Sequence, residues 1–503
     1  MMTPCMSLAL LGLEASPLSA WPDGRRAGVI EGLPPFRSQE ILAALETAFV
    51  RSDLPWPSPP PALRVAPQPL PSGAQPDLAL ALALLGAAGV VPPSALAGLC
   101  ALGAMAPDGT LALRRGGLVL ALAARHHGAR VLLVPEACSD EMRLAAGPGL
   151  RICPVRSLSQ AVEVLRGESQ APSLDPRPEP WSVPPPPLDL WDLPCGPRPR
   201  RALEIAAAGG HPLLLLGPPG APLAALARRL PGLLPPQSPA EARAVSLVFS
   251  AAGLLRAGLV PQRPFRAPHA STALAGLCGT AAGPGELALA HSGVLFLDDL
   301  PAWKRATLAA LREPLRTGEV VALTTRVRYP AGTLLVAAAP LCPCEDAPRK
   351  PCVCDPVVRA RYQAALRSAM PAPVDLCCPV PAPGAQLAPG ADPAAPVREA
   401  SVVVAARVVA ARARQAARAA RHGGRPLSSW LNAWAPLALL HEDLYPDGAG
   451  AAVLHGAGLA TPTAERVLRV ARTLADLAGH PDIGAAEVDE ALTWVNPSPE
   501  TLP

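Results

Sequence analysis

Lysine is almost missing from this chain. Of its 44 basic residues only Lys304 and Lys350 are lysines, and the other 42 are arginine. The N-terminal 303 residues hold no ε-ammonium group. Chemistry in that span that needs a lysine on a phosphate is excluded. Aromatic residues make up 3%. Ala, Leu, Arg and Pro dominate instead, a bias that points to a GC-rich genome more than to a mechanism. The net charge of +4 is too small to imply a nucleic-acid partner by itself. No apolar run is long enough for a membrane span. Leu78 to Val91 is cut off by Pro92-Pro93 and reads as a buried helix. Met1 to Leu13 has no basic residue ahead of its apolar run, unlike a signal peptide. The expectation is a soluble cytoplasmic protein with no membrane partner. In that compartment the 12 cysteines, where clustered, suggest metal or reduced thiols rather than disulfides.

What is present organises around one stretch, His211-Pro-Leu-Leu-Leu-Leu-Gly-Pro-Pro-Gly-Ala-Pro-Leu-Ala224. Four leucines run into Gly217, and helix-forming residues follow. Strand, glycine turn and helix are the parts of a P-loop, whose pattern is G-x-x-x-x-G-K-[ST]. Gly217 fits its first position. Across Pro218, Pro219, Gly220 and Ala221 the turn persists, and then the match fails. Pro222 stands for the second glycine, Leu223 for the lysine and Ala224 for the hydroxyl residue. Proline removes a cradle N–H, leucine carries no charge to the β/γ-phosphates, and alanine offers no hydroxyl to Mg²⁺. Arg228 and Arg229 lie too far along to replace the lysine.

With 503 residues, 50% of them hydrophobic, the chain predicts roughly two to four domains. Residues 1–167 read as an α+β unit. Strands are expected at 8–14, 62–65, 110–113 and 130–134, and helices at 38–51, 77–88 and 117–125. Residues 168–200 are a proline-rich spacer. Residues 201–381 alternate strand and helix, with strands at 213–216, 244–249, 294–298 and 333–338 and a helix through 304–315. Residues 382–396 are a second linker, and 397–503 are helical. Val294-Leu-Phe-Leu-Asp298 followed by Asp299 reads as a strand ending in the acidic pair that holds Mg²⁺ and polarises water in NTPases. Cys342-Pro-Cys344 and Cys352-Val-Cys354 could place four thiolates around zinc, or form a loop of reduced thiols. Arg407, Arg414, Arg418, Arg421 and Arg425 fall on one helix side, as a phosphate contact or as a solvated face.

Further blocks are informative together. They are Ile205 to Gly220, Arg263-Pro-Phe-Arg-Ala-Pro-His269, Gly285-Glu-Leu-Ala-Leu-Ala-His291, Gly293 to Pro301, Glu465 to Ala478 and Ile483 to Leu492. In order and spacing they resemble the ComM/YifB family of magnesium-chelatase-like AAA+ proteins. The resemblance implies an α/β fold with three parts. These are an N-terminal Lon-protease/ribosomal-S5-like α+β domain, a P-loop AAA+ α/β core and a C-terminal helical lid. It implies ATP and Mg²⁺ as cofactors and a structural zinc on the four cysteines. It implies DNA as a partner in branch migration during natural transformation, through a ring-forming hexamer. Arg466, Arg469 and Arg472 stand where the lid could offer an arginine to nucleotide.

Against the family pattern five positions depart: Leu223, Ala224, Asp299 in place of Glu, Pro340 in place of the γ-phosphate-sensing Asn, and Pro373 in place of the arginine finger. Such fingers are typically worth about 10³–10⁵ in rate. ATP hydrolysis is therefore expected to be impaired or lost. Lon-type Ser–Lys proteolysis is excluded by the missing lysine, which leaves a structural or partner-binding role for the N-terminal domain. The alternative to a motor is a non-catalytic DNA-binding or scaffold protein that partners an intact paralogue. A metal-chelatase subunit fits less well, because the N-terminal domain matches ComM/YifB organisation.

Overall fold

The computed structural model describes residues 4–23, 29–58, 62–67, 73–170, 174, 188–193, 195–256, 258–323, 326–344, 354–381, 399–421, 431–435 and 448–495. The N-terminal domain is a seven-stranded mixed sheet in the order β3-β4-β2-β1-β5-β8-β9. Its strands are β1 (Cys5–Leu11), β2 (Glu14–Asp23), β3 (Ile30–Glu31), β4 (Ala62–Ala66), β5 (Leu99–Ala101), β8 (Val131–Pro135) and β9 (Arg151–Val155). A small hairpin, β6 (Ala104–Met105) with β7 (Leu111–Ala112), stands beside it. Helix α1 (Pro35–Arg51) and helix α2 (Asp77–Ala87) cover one face. Every residue of α2 from Leu78 to Leu85 is buried, as befits a helix that is apolar all round. Helix α3 (Gly117–His126) covers the other face.

The strand expected over 8–14 is in fact a hairpin. Gly12 turns the chain at φ +68° and the return strand is β2. Glycine suits the turn for two reasons. The left-handed backbone disfavours other residues, and a Cβ there would lie 2.4 Å from Val327 Cγ1 of the core.

The core sheet is wholly parallel, in the order β11-β12-β15-β10-β16. Its strands are β10 (Leu213–Gly217), β11 (Phe265–Arg266), β12 (Val294–Leu297), β15 (Leu334–Pro340) and β16 (Leu376–Pro379). A two-stranded ribbon, β13 (Glu319–Val321) with β14 (Arg328–Pro330), lies apart from it. Leu213 to Leu216 are all fully buried because both faces of a parallel sheet are covered. Leu213 and Leu215 meet helix α4 (Pro197–Gly209) on one side, and Leu214 and Leu216 join Leu295 and Leu335 on the other. Residues 188–193 and 195–200, expected to be the end of the linker, pack here: Leu190 is fully buried and Arg200 donates to its carbonyl oxygen at 2.9 Å.

The strand expected at 244–249 is the middle of helix α6 (Pro239–Ala251), which follows the short helix α5 (Leu223–Ala227). Ser238 and Glu241 close a reciprocal capping box at its start, which fixes the helix where a short apolar run alone is ambiguous. The C-terminal helices α7 (Ser401–Arg421), α8 (Thr461–Ala478) and α9 (Ala485–Val495) pack on α4 and on one another, and a shorter helix, Gly448–Gly456, packs on α9. No helix among the described residues is long and apolar enough to cross a membrane.

Candidate functional site

In open parallel sheets, ligands bind outside the carboxyl ends of the strands, where the strand order reverses. Here that place is the end of β10, between β15 and β16. Gly217, Leu223, Ala224, Asp298, Asp299 and Pro340 converge on it, whereas Pro373 precedes β16 at the opposite, amino end of the sheet. Gly217 closes β10 and pairs with Pro340 at the end of β15. Leu297 pairs with Ala337 of the same strand, so Asp298 and Asp299 follow on the same edge. Gly217 is needed for close packing: a Cβ would lie 2.7 Å from Ala221 Cβ and 3.0 Å from Val380 O. The sheet is joined there by the Leu341 N–H donating to Gly217 O at 3.2 Å.

The loop itself has few donors to offer. Pro218, Pro219 and Pro222 have no N–H. The N–H groups of Ala221 and Leu223 donate to Pro218 O and Ala221 O, at 3.0 and 2.8 Å. Gly220, at φ +86°, is exposed. Leu223 and Ala224 pack against the core cluster, so an aliphatic side chain lies where a phosphate-binding ammonium would extend. Neither nearby arginine compensates. Arg228 lies 5.5 Å over the Phe265 ring. Arg229 is buried and donates to Asp189 O at 2.6 Å and Ala225 O at 2.9 Å. A triphosphate fits this loop poorly, since it offers few N–H donors and, among the described residues, neither Arg228 nor Arg229 brings a cation to it.

The acidic pair is exposed. Asp298 Oδ1 accepts the Asp299 N–H at 3.0 Å, and its carbonyl oxygen accepts the Trp303 indole N–H at 2.8 Å. Asp299 sits in the left-handed region at φ 47°, which aspartate tolerates better than most residues. The residues could bind a hydrated Mg²⁺ through Asp298. Trp303, which holds the turn, was missed in the sequence; a Trp five positions past the first aspartate is its only signal.

The three arginines of α8 do not join this edge. Thr473 Oγ1 of that helix lies 2.7 Å from His211 Nε2, and His211 Nδ1 lies 2.9 Å from Asp375. His211 and Asp375 precede β10 and β16, so α8 meets the amino end of the sheet. Arg466 donates to Val374 O at 2.8 Å, beside exposed Pro373, and Arg469 to Ala435 O at 3.3 Å. Arg472 is 2% exposed; it pairs with Asp476 at 3.1 Å and donates to the carbonyl oxygens of His480 and Pro481.

The arginine side of α7 is likewise engaged within the fold. Arg407 pairs with Glu204 and Glu399, Arg414 donates to Asp476 O at 2.8 Å, and Arg418 pairs with Asp476 at 2.6 Å. Arg421 is exposed, and Arg425 is outside the described residues. The matched blocks of the core also turn out to be framework. Arg263 pairs with Glu241 and donates to Ser292 O, while Arg266 pairs with Glu286.

Just past β15, Cys342, Cys344 and Cys354 bring their sulfurs within 4.8 Å of one another. Cys352 lies outside the described residues. Three or four thiolates so placed suit tetrahedral zinc, a soft cation that prefers sulfur. Cys377 and Cys378 are buried strand residues of β16, as their sequence context suggested.

The family model described as magnesium chelatase, subunit ChlI, matches residues 189–387, and its C-terminal counterpart matches 398–494. An uncharacterized protein of Mycobacterium tuberculosis is 35% identical over 479 residues, 92% of each chain. The uncharacterized protein YifB of Escherichia coli is 34% identical over 505 residues, 97% of this chain and 95% of that one. The competence protein ComM of Haemophilus influenzae is 34% identical over 327 residues, 63% of each chain. With a P-loop-type strand order, an acidic pair and a helical C-terminal unit in their expected sequence positions, the chain belongs to the ComM/YifB family of magnesium-chelatase-like proteins.

Proposed function

We propose that this protein keeps the architecture of a ComM/YifB-type AAA+ protein but is impaired or inactive in ATP hydrolysis. Its role is then that of a DNA-directed scaffold, as a homo-hexamer or in a hetero-oligomer with an intact paralogue. The observation that carries this reading is the edge formed by Gly217, Pro340 and Asp298. The strands are in place there, but the loop has three prolines, Leu223 for its cation and Ala224 for its hydroxyl. Hydrolysis of a phosphoanhydride depends almost entirely on positioning and on charge neutralisation, and this edge supplies little of either. The name of the relative ComM, a competence protein, supports DNA uptake or recombination as the setting. The maintained framework of buried ion pairs supports a folded protein with a binding role.

The test is steady-state ATP hydrolysis with and without single- and double-stranded DNA. The expected result is background turnover that Asp298→Asn leaves unchanged. DNA-stimulated hydrolysis abolished by that substitution would overturn the reading. A DNA mobility shift without nucleotide tests the scaffold half.

A further inference from the structure

A cleft of about 1400 Å³ opens between the N-terminal domain and the core loop that carries Ala281 and Ala282. Neither the Gly217 loop, nor Asp298, nor the cysteine cluster lines it. Its floor is aliphatic, built from Leu8, Leu10, Ile41, Met105 and Leu120. Another part of the lining carries two carboxylates, Glu40 and Asp77, and one guanidinium, Arg37. Asp77 opens α2 and its Oδ2 accepts the Met105 N–H at 3.1 Å, with Arg37 and Glu40 nearby. Arg114 and Arg115 line it as well. Neither has a carboxylate partner among the described residues. Arg115 is partly buried, and among the described residues its side chain makes one long hydrogen bond, 3.3 Å to Ala281 O. Burial lowers its pKa, opposed in part by Tyr329, as expected for a guanidinium that is desolvated with no carboxylate beside it. The loop after it is clamped to the core, with the Gly116 N–H donating to Ser250 O at 2.7 Å and the Leu118 N–H to Ser250 Oγ at 3.1 Å. The backbone that carries the arginine pair is therefore anchored to the core.

The chemistry of the walls selects an occupant. Small-molecule pockets run to roughly 300–1,000 Å³, so this cleft has room for a longer ligand. A nucleic-acid strand asks for a cationic track and aromatic rings to stack on. Among the described residues no aromatic ring lines this cleft, and two carboxylates do. An extended peptide supplies what is missing: aliphatic side chains for the floor, a backbone for the polar rim, and a carboxylate for a guanidinium, where bidentate pairing is strongest. We propose that this cleft binds an extended segment of a partner protein in which aliphatic residues flank an acidic one, the carboxylate seating on Arg114 and Arg115. This site is independent of the nucleotide edge.

Fluorescence anisotropy on the full chain tests it. The probe is a short fluorescein-labelled peptide of Leu-Asp-Ala repeats, compared with its Leu-Lys-Ala counterpart and with labelled single-stranded DNA. The acidic peptide is expected to bind and the basic one not. Arg114→Ala with Arg115→Ala should weaken binding by about ten- to a hundredfold. Ala282→Trp, at an exposed position that leaves the fold intact, should block the cleft. Unchanged thermal unfolding verifies that each variant is folded. No binding of either peptide at millimolar protein would overturn the proposal, as would equal binding of both, or binding indifferent to Ala282→Trp. DNA binding lost through these same substitutions would overturn it in favour of a nucleic-acid cleft.

Discussion

Gly217 and Pro340 are direct partners in the parallel ladder at the carboxyl edge of the core sheet. The one residue that still fits the phosphate-loop pattern thus stands beside a residue with no polar side chain. Neither position can be judged alone, because the strand pairing makes them one surface. Restoring catalysis would mean rebuilding several contacts of that surface together.

Restoring Leu223→Lys and Ala224→Thr alone is expected to yield no measurable hydrolysis. Pro222 would still withhold an N–H, and Pro340 would still face the γ-phosphate position. Adding Pro222→Gly and Pro340→Asn should produce detectable nucleotide binding by calorimetry. Hydrolysis in the double variant would show that the prolines are harmless.

Asp476 is fully buried and takes bonds from Arg418, Arg472 and Asn432. Asp476→Ala would strand two guanidinium groups in the interior. Removing one partner of a buried ion pair costs about 3–5 kcal/mol. The unfolding midpoint of the helical C-terminal unit in urea should fall accordingly, whereas Arg421→Ala, on an exposed surface, should change little.

This inward turn of the arginines is where the sequence is least informative. Periodicity places Arg407, Arg414 and Arg418 on one face, but it does not say whether that face meets solvent or a carboxylate. Glu204 and Asp476 decide that through tertiary packing. The same limit applied at 244–249, where Val, Ser, Leu, Val and Phe suit strand or helix alike; the signal that settles it is Ser238 with Glu241, three positions apart. By contrast Leu213–Leu216 and Val294–Leu297 were legible, because a continuous apolar run ending in Gly or Asp has few other uses. The hairpin at Gly12 was not, since one glycine inside an apolar stretch marks a bulge as easily as a turn.

Burial pulls the His291 imidazole down from 6.5 to about 4. The folded state thus resists a proton that the unfolded chain accepts. The stability this group contributes is complete above pH 6.5 and is lost as pH falls from there to about 4, by roughly 2–3 kcal/mol. Urea unfolding across that window should show the slope, and His291→Asn should flatten the part that belongs to this residue. An identical slope in the variant would assign it to other groups.

Purified protein is expected to carry about one zinc per chain, set by the thiolates of Cys342, Cys344 and Cys354 with Cys352 as the fourth candidate. Metal content by plasma spectrometry, with Cys342→Ser as the control, measures this. Full zinc content in the Cys342→Ser variant would place the metal elsewhere.

The most direct test of the central claim is calorimetric titration of the intact protein with Mg-ATP and with ADP. The account predicts no heat of binding at millimolar nucleotide, because three prolines and Leu223 have stripped the Gly217 loop of donors and charge. Micromolar affinity for either nucleotide would contradict it, and would mean that this edge still holds phosphate without the lysine.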